Sequence, residues 1–131
     1  MQGSGPEICV VSTKAALAQM VILQLVALEL GSMTGTIDPE RYRRTHEELE
    51  QFPEQVQTIL NEISGFVRNL ADETAHFQNW LFLGRGVYYP IALEASLKMK
   101  EVTYLHAEGM SAGFLKHGTL AMVDPEMMSL F

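Results

Sequence analysis

Cysteine is almost missing from this chain: Cys9 stands alone. One thiol cannot build a disulfide framework, and no Cys/His spacing suits zinc. Basic residues are scarce as well, with 9 Lys and Arg against 16 Asp and Glu and a formal charge of −7. A surface of that sign repels phosphate backbones, so no nucleic-acid partner is expected. A small anionic ligand needs only local donors and stays open. Long apolar runs are lacking apart from Ala15–Leu30, which Gln19, Gln24 and Glu29 interrupt. That run falls short of the roughly 18–20 residues of a bilayer span, so no membrane partner is expected. A helix apolar almost all round is more simply a buried one. The shortage of cysteine fits a reducing, cytoplasmic setting.

What is present suits one compact domain, with 47% hydrophobic and 19% charged residues over 131 positions. Ser12 and Thr13 precede a run of good helix formers, so one of them should cap a helix reaching about Gly31. Gly31–Asp38, with Gly35 and two threonines, reads as a linker. Pro39 opens a polar helix through about Gln51, and Pro53 opens another with Val56, Ile59, Leu60, Ile63, Val67 and Leu70 at helical spacing. Trp80–Leu83 is a short continuous apolar run stopped by Gly84, the pattern of a buried strand. A helix follows over Pro90–Tyr104, then a short helical piece near Ser111–Leu115. A lone parallel strand cannot satisfy its backbone groups, and no internal repeat supplies partners for Trp80–Leu83. The α/β unit therefore reads as incomplete.

Helix Pro90–Tyr104 carries the most informative side chains. At 100° per residue, Glu94, Lys98 and Glu101 lie within about 60° of one another, bordered by Ile91, Leu97 and Val102. Such a cluster suits a proton-transferring carboxylate tuned by a lysine. Without a family resemblance, ordinary surface ion pairs worth tenths of a kcal/mol are the commoner explanation. His117, on a segment bounded by Gly113 and Gly118, is placed to reach a ligand or simply to face solvent. Ser12-Thr13-Lys14 opens a helix with no acidic residue in its first turn, where an anion would be welcome; on spacing alone an ordinary N-cap is the better explanation. Gly84-Arg85-Gly86 is sufficiently explained by a tight turn. His106-Ala107-Glu108 opens like a zinc deaminase signature, but the matching cysteines are missing.

Taken in order, Phe82-Leu83-Gly84-Arg85-Gly86, Tyr89-Pro90-Ile91-Ala92-Leu93-Glu94, Leu97-Lys98-x-Lys100-Glu101, His106-Ala107-Glu108 and Leu115-Lys116-His117-Gly118 resemble one family. It is the second sugar-isomerase (SIS) domain of glutamine–fructose-6-phosphate transaminase. Upstream, Glu7-Ile8-x-Val10-x-Ser12-Thr13-Lys14-Ala15 is similar to the segment closing that family's first SIS domain. The resemblance implies a helix-dominated fragment of a doubly wound, flavodoxin-like α/β architecture with at most one or two short strands. Residues 1–35 would close the first SIS domain, 36–78 would be a helical connector, and 79–131 would begin the second.

The implied chemistry is synthesis of glucosamine 6-phosphate from fructose 6-phosphate and glutamine. Glu101 matches the carboxylate that moves a proton between the first two sugar carbons, and Lys98 a lysine of the same pocket. His117 matches a ring-opening histidine that acts in the neighbouring subunit's active site. Val10, Ser12 and Thr13 fall in the sugar-contacting segment. The implied partners are a sugar phosphate and further copies of the chain, with neither a cofactor nor a metal. Cys9, Val11, Phe114 and Thr119 depart from the family pattern. No counterpart of the glutaminase domain, the Ser/Thr-rich phosphate loop or the Schiff-base lysine is found in these residues, so the chain alone is expected to be inactive. A non-catalytic sugar-phosphate sensor or scaffold, or a related amino-sugar-phosphate deglycase or isomerase, are the alternatives.

Overall fold

A computed structural model of the chain describes residues 3–131. It divides into two compact units, one ending at Arg68 and the other running from Asn69 to Phe131.

The first unit is built from helix α1, Lys14–Met33, and most of helix α2, Pro39–Thr74. The turn between them is made by short polar side chains. Thr34 Oγ1 donates to Leu30 O at 2.8 Å, and Thr36 Oγ1 donates to Gly31 O at 3.2 Å. A Cβ at Gly31 would lie 2.4 Å from the Ile37 side chain, so the turn closes tightly there. Asp38 caps α2 by accepting from the Arg41 backbone N–H at 2.9 Å, with Pro39 at the first helical position. The two helices expected over residues 39–51 and from 53 onward are one. Pro53 sits inside it, and the apolar positions keep their period across the proline, which favours continuing over stopping.

Helix α1 departs from the expected buried helix. Only Ala15, Leu28 and Gly31 are buried, while Leu23 is 67% exposed and Met33 81%. An all-round apolar helix needs partners on every side. Within this unit α2 contributes one wall of a groove of about 350 Å³, lined by Leu17, Met20, Val21, Thr45, Leu49 and Phe52. The helix also outruns the interrupted apolar stretch: at 20 residues it is long and apolar enough to cross a membrane by length and composition.

The second unit is a small α/β layer. Strand β1, Asn79–Gly84, leads through a glycine turn into helix α3, Tyr88–Thr103. Strand β2, His106–Ser111, follows, then two 3-10 turns (Ala112–His117 and Thr119–Met122) and strand β3, Met127–Leu130. The sheet order is β2-β1-β3, and both pairings are parallel, with Asn79 opposite His106 and Met127. The α/β class is as expected, but there are three strands rather than one or two, and β1 is not unpaired. β2 and β3 flank it and take up its backbone groups on both sides.

The continuous apolar run of β1 is explained by burial on both faces, with Trp80, Leu81 and Phe82 at most 8% exposed. Trp80 and Phe82 stack at 6.3 Å and meet Ala92 of α3 and Ala107 of β2 in one core. The Trp80 indole N–H finds the Phe77 carbonyl at 3.2 Å, so the ring is buried without an orphan donor. Helix α3 rests on the strands through two glycines. A Cβ at Gly84 would fall 2.1 Å from the Tyr88 carbonyl oxygen, and one at Gly109 would fall 2.7 Å from that of Ala92.

Candidate functional site

Helix α3 begins where β1 ends. Gly84, Arg85 and Gly86 make the turn, with Tyr88 N–H donating to Arg85 O at 3.1 Å and Gly86 at φ 58°. The glycines serve the turn and the close approach of the helix, as a tight-turn reading requires. Pro90 stands in the first turn of α3, where a missing N–H costs nothing.

One helical turn further on, Glu94, Lys98 and Glu101 meet. Lys98 Nζ donates to Glu101 Oε2 at 2.7 Å and lies 3.4 Å from Glu94 Oε1. The side chains of Lys98 and Glu101 are 22% and 20% exposed, that of Glu94 37%. The bland alternative of fully solvated ion pairs is thereby weakened: compare Arg43, which bridges Glu40 and Glu47 with side chains more than half exposed. The Glu101 hydrogen bond holds the Lys98 ammonium above the ordinary lysine range. Partial desolvation opposes it, and Glu94 adds to it.

His117 ends the first 3-10 turn, before Gly118 at φ 146°. Its exposed imidazole meets the Phe114 ring edge-on at 6.1 Å and has no hydrogen-bond or ion-pair partner among the described residues. Val10, Ser12 and Thr13 lie in the first unit, ahead of α1, while Lys98, Glu101 and His117 lie in the second. Val10 is 83% exposed and Ser12 is half-buried.

Neither Ser12 nor Thr13 caps α1 with its side chain. The Glu7 carboxylate does so instead, accepting from Ala15 N–H at 2.9 Å, while Lys14 Nζ donates to Pro6 O at 2.8 Å. The welcome for an anion at this helix start is thus met from within the chain. Glu7 was missed as a functional position because it lies eight residues from the amide it caps. The available signal was an acid upstream of a helix whose first turn has none. Among the described residues no group of His, Cys, Asp and Glu is placed to hold a metal ion.

The second unit is thus a parallel β–α–β layer with a carboxylate–lysine cluster on its helix. Residues 74–131 match the SIS domain model. Over most of its length the chain is similar to isomerising glutamine–fructose-6-phosphate aminotransferases. It is 48% identical over 124 residues to the enzyme so named from Xylella fastidiosa (strain 9a5c), covering 95% of this chain and 20% of that protein. It is 45% identical over 127 residues to the one from Vibrio cholerae, covering 97% and 21%. The chain therefore spans about one fifth of the length of these relatives. Among solved structures, the C-terminal domain of glucosamine-fructose-6-phosphate aminotransferase from Francisella tularensis superposes with a TM-score of 0.90 at 37% identity, covering 95% of this chain and 35% of that one. A putative phosphosugar isomerase from Clostridium difficile 630, at 17% identity and a TM-score of 0.85, shares the fold over 98% of this chain and 36% of its own.

Proposed function

We propose that these residues are part of the isomerase region of an enzyme that makes glucosamine 6-phosphate from fructose 6-phosphate and glutamine. The observation that carries this reading is the half-buried Lys98–Glu101 hydrogen bond on α3, in a chain similar to aminotransferases of that name. Glu101 is the group that takes a proton from the first sugar carbon and returns it to the second, and Lys98 lines the pocket beside it. A carboxylate suits this work because it is both a competent base and, once protonated, a competent acid. His117, exposed and without a polar partner among the described residues, opens the sugar ring in a neighbouring subunit, which makes the working form a homo-oligomer. Val10, Ser12 and Thr13 contact the sugar phosphate, and a cytoplasmic setting suits those substrates.

The same reading holds that the 131 residues do not turn over alone, because proton transfer needs the sugar phosphate held in register. Residues 1–35 then close one SIS domain, 36–78 connect, and 79–131 open the next. The test is an isomerisation assay on the purified chain with fructose 6-phosphate. No turnover is expected, and clear turnover overturns the inactivity.

A second reading, a sugar-phosphate sensor, draws on Phe114, which stands where the family has an acid and packs its ring against His117. Glu101→Gln in a full-length parent protein separates the two, since a sensor keeps its function and an isomerase loses its rate.

A further inference from the structure

Glu94 is the member of the α3 cluster to which no step has been given. Its carboxylate lies 3.4 Å from the Lys98 ammonium, one turn before it, while Glu101 lies 2.7 Å from the same ammonium on the other side. One cation thus sits between two carboxylates. Glu preceding Lys by four residues is the favourable orientation for such a pair on a helix.

The arrangement matters at the moment Glu101 is loaded. If Glu101 takes a proton from the sugar, its carboxylate becomes a neutral acid and its charge-assisted bond to Lys98 weakens. The Lys98 side chain is 22% exposed, so its ammonium is left partly desolvated and short of a counter-charge. Glu94 is the remaining anion within ion-pair distance of it among the described residues. We propose that Glu94 is a positioning residue, the standing counter-ion that keeps Lys98 in place while Glu101 passes between charged and neutral forms. The proton moves only between the substrate carbon and Glu101, and Glu94 neither gains nor loses one. Lys98 is then already in place to take back Glu101 when the proton leaves, so the cluster need not reorganise between the two halves of the transfer.

The inference rests on the proton-transfer role of Glu101, but its test needs no substrate. Glutamine at position 101 stands in for the neutral acid. The side-chain ammonium of Lys98 is followed by proton–nitrogen NMR of the ¹⁵N-lysine-labelled chain at low temperature and mildly acid pH, where only held ammonium groups survive exchange. The Lys98 signal is expected to persist in the unsubstituted chain, in Glu94→Gln and in Glu101→Gln, and to vanish in the double variant. Glu94→Asp placed on the Glu101→Gln background should restore part of it, which a general loss of structure would not. All these positions are partly exposed, and an unchanged backbone amide spectrum at Ser96 and Gly109 confirms that α3 still sits on its strands. Loss of the signal in Glu101→Gln alone, or its survival in the double variant, overturns the proposal. Should Glu101→Gln leave turnover of a catalytically competent parent intact while the ammonium pattern follows expectation, the proton-transfer reading falls and the counter-ion role of Glu94 stands.

Discussion

At the scale of single residues, two positions carry conformational or ionic work that can be measured. Tyr104 ends α3 in the left-handed region, at φ 60°, with its N–H donating to Lys100 O at 3.0 Å. Its side chain is 94% exposed, so the ring offers little packing in return for the unfavourable backbone. Glycine takes this conformation without a Cβ penalty, and Tyr104→Gly is expected to stabilise the second unit by about 1 kcal/mol in urea titration. A loss of stability would mean that the tyrosine ring does more than its exposure suggests. Asp38 offers a pH test. The hydrogen bond from Arg41 N–H holds its carboxyl below the usual 3.8, with slight desolvation opposing. Because the folded form binds the proton less readily than the unfolded, the cap contributes fully above the ordinary carboxyl range. Its contribution is lost as pH falls through the lowered folded value. The gap in unfolding midpoint between the chain and Asp38→Ala should therefore narrow steadily as the solution is taken below about pH 4. A gap that is constant with pH would show the cap works without its charge.

At the scale of elements, the second unit depends on how closely α3 can approach the sheet. Gly109 of β2 faces the backbone of α3, where an added Cβ would meet Ala92 O at 2.7 Å, Leu93 Cα at 2.8 Å and Ser96 Oγ at 2.8 Å. Two of those atoms are backbone, and Ser96 is 3% exposed with its hydroxyl committed to Leu93 O at 2.8 Å. None can step aside cheaply. Gly109→Ala is expected to cost roughly 1–3 kcal/mol by forcing α3 off β2. The check is a urea midpoint, paired with amide exchange at Ala107, which should rise only if the helix lifts. The same close approach explains why β2 was not legible. His106–Ser111 is polar, contains glycine and has no β-branched residue, so nothing local favours a strand. Its conformation is set by parallel pairing with β1, a contact across some twenty-five residues of chain. β3 is four residues of a Met-rich tail with the same dependence. By contrast α1, α3 and β1 were readable, because runs of good helix formers, helical spacing and a continuous apolar run are local. The Lys98–Glu101 pair was legible for the same reason: helical spacing alone puts the two on one face. The capping of α1 by Glu7 was not, because a loop contact has no period.

At the scale of the whole molecule, the chain exposes more apolar surface than a solitary soluble domain usually does. Leu23, Leu30 and Met33 of α1 are more than half exposed. Along α2, Phe52, Val56, Ile59, Ile63 and Phe66 recur at alternating steps of four and three, the spacing of a coiled-coil seam. The early part of that seam is half-buried, whereas Ile59 is 51% exposed and Phe66 68%. A regular seam of this kind is self-complementary, because the same residues on a second copy present matching knobs and holes. Burying two such stripes removes apolar area from water at about 25 cal/mol per Å², against the loss of free translation and rotation on association. Self-association of this chain in the micromolar range is therefore expected, seen as a mass above that of one chain in light scattering with multi-angle detection. Phe66→Glu places a charge on the exposed stretch at a position that is not buried within its own unit. That variant should return the mass to a monomer while far-ultraviolet circular dichroism keeps its helical signal. A monomeric mass for the unsubstituted chain across the micromolar range would remove the seam as an interface, as would a Phe66→Glu variant that associates as before.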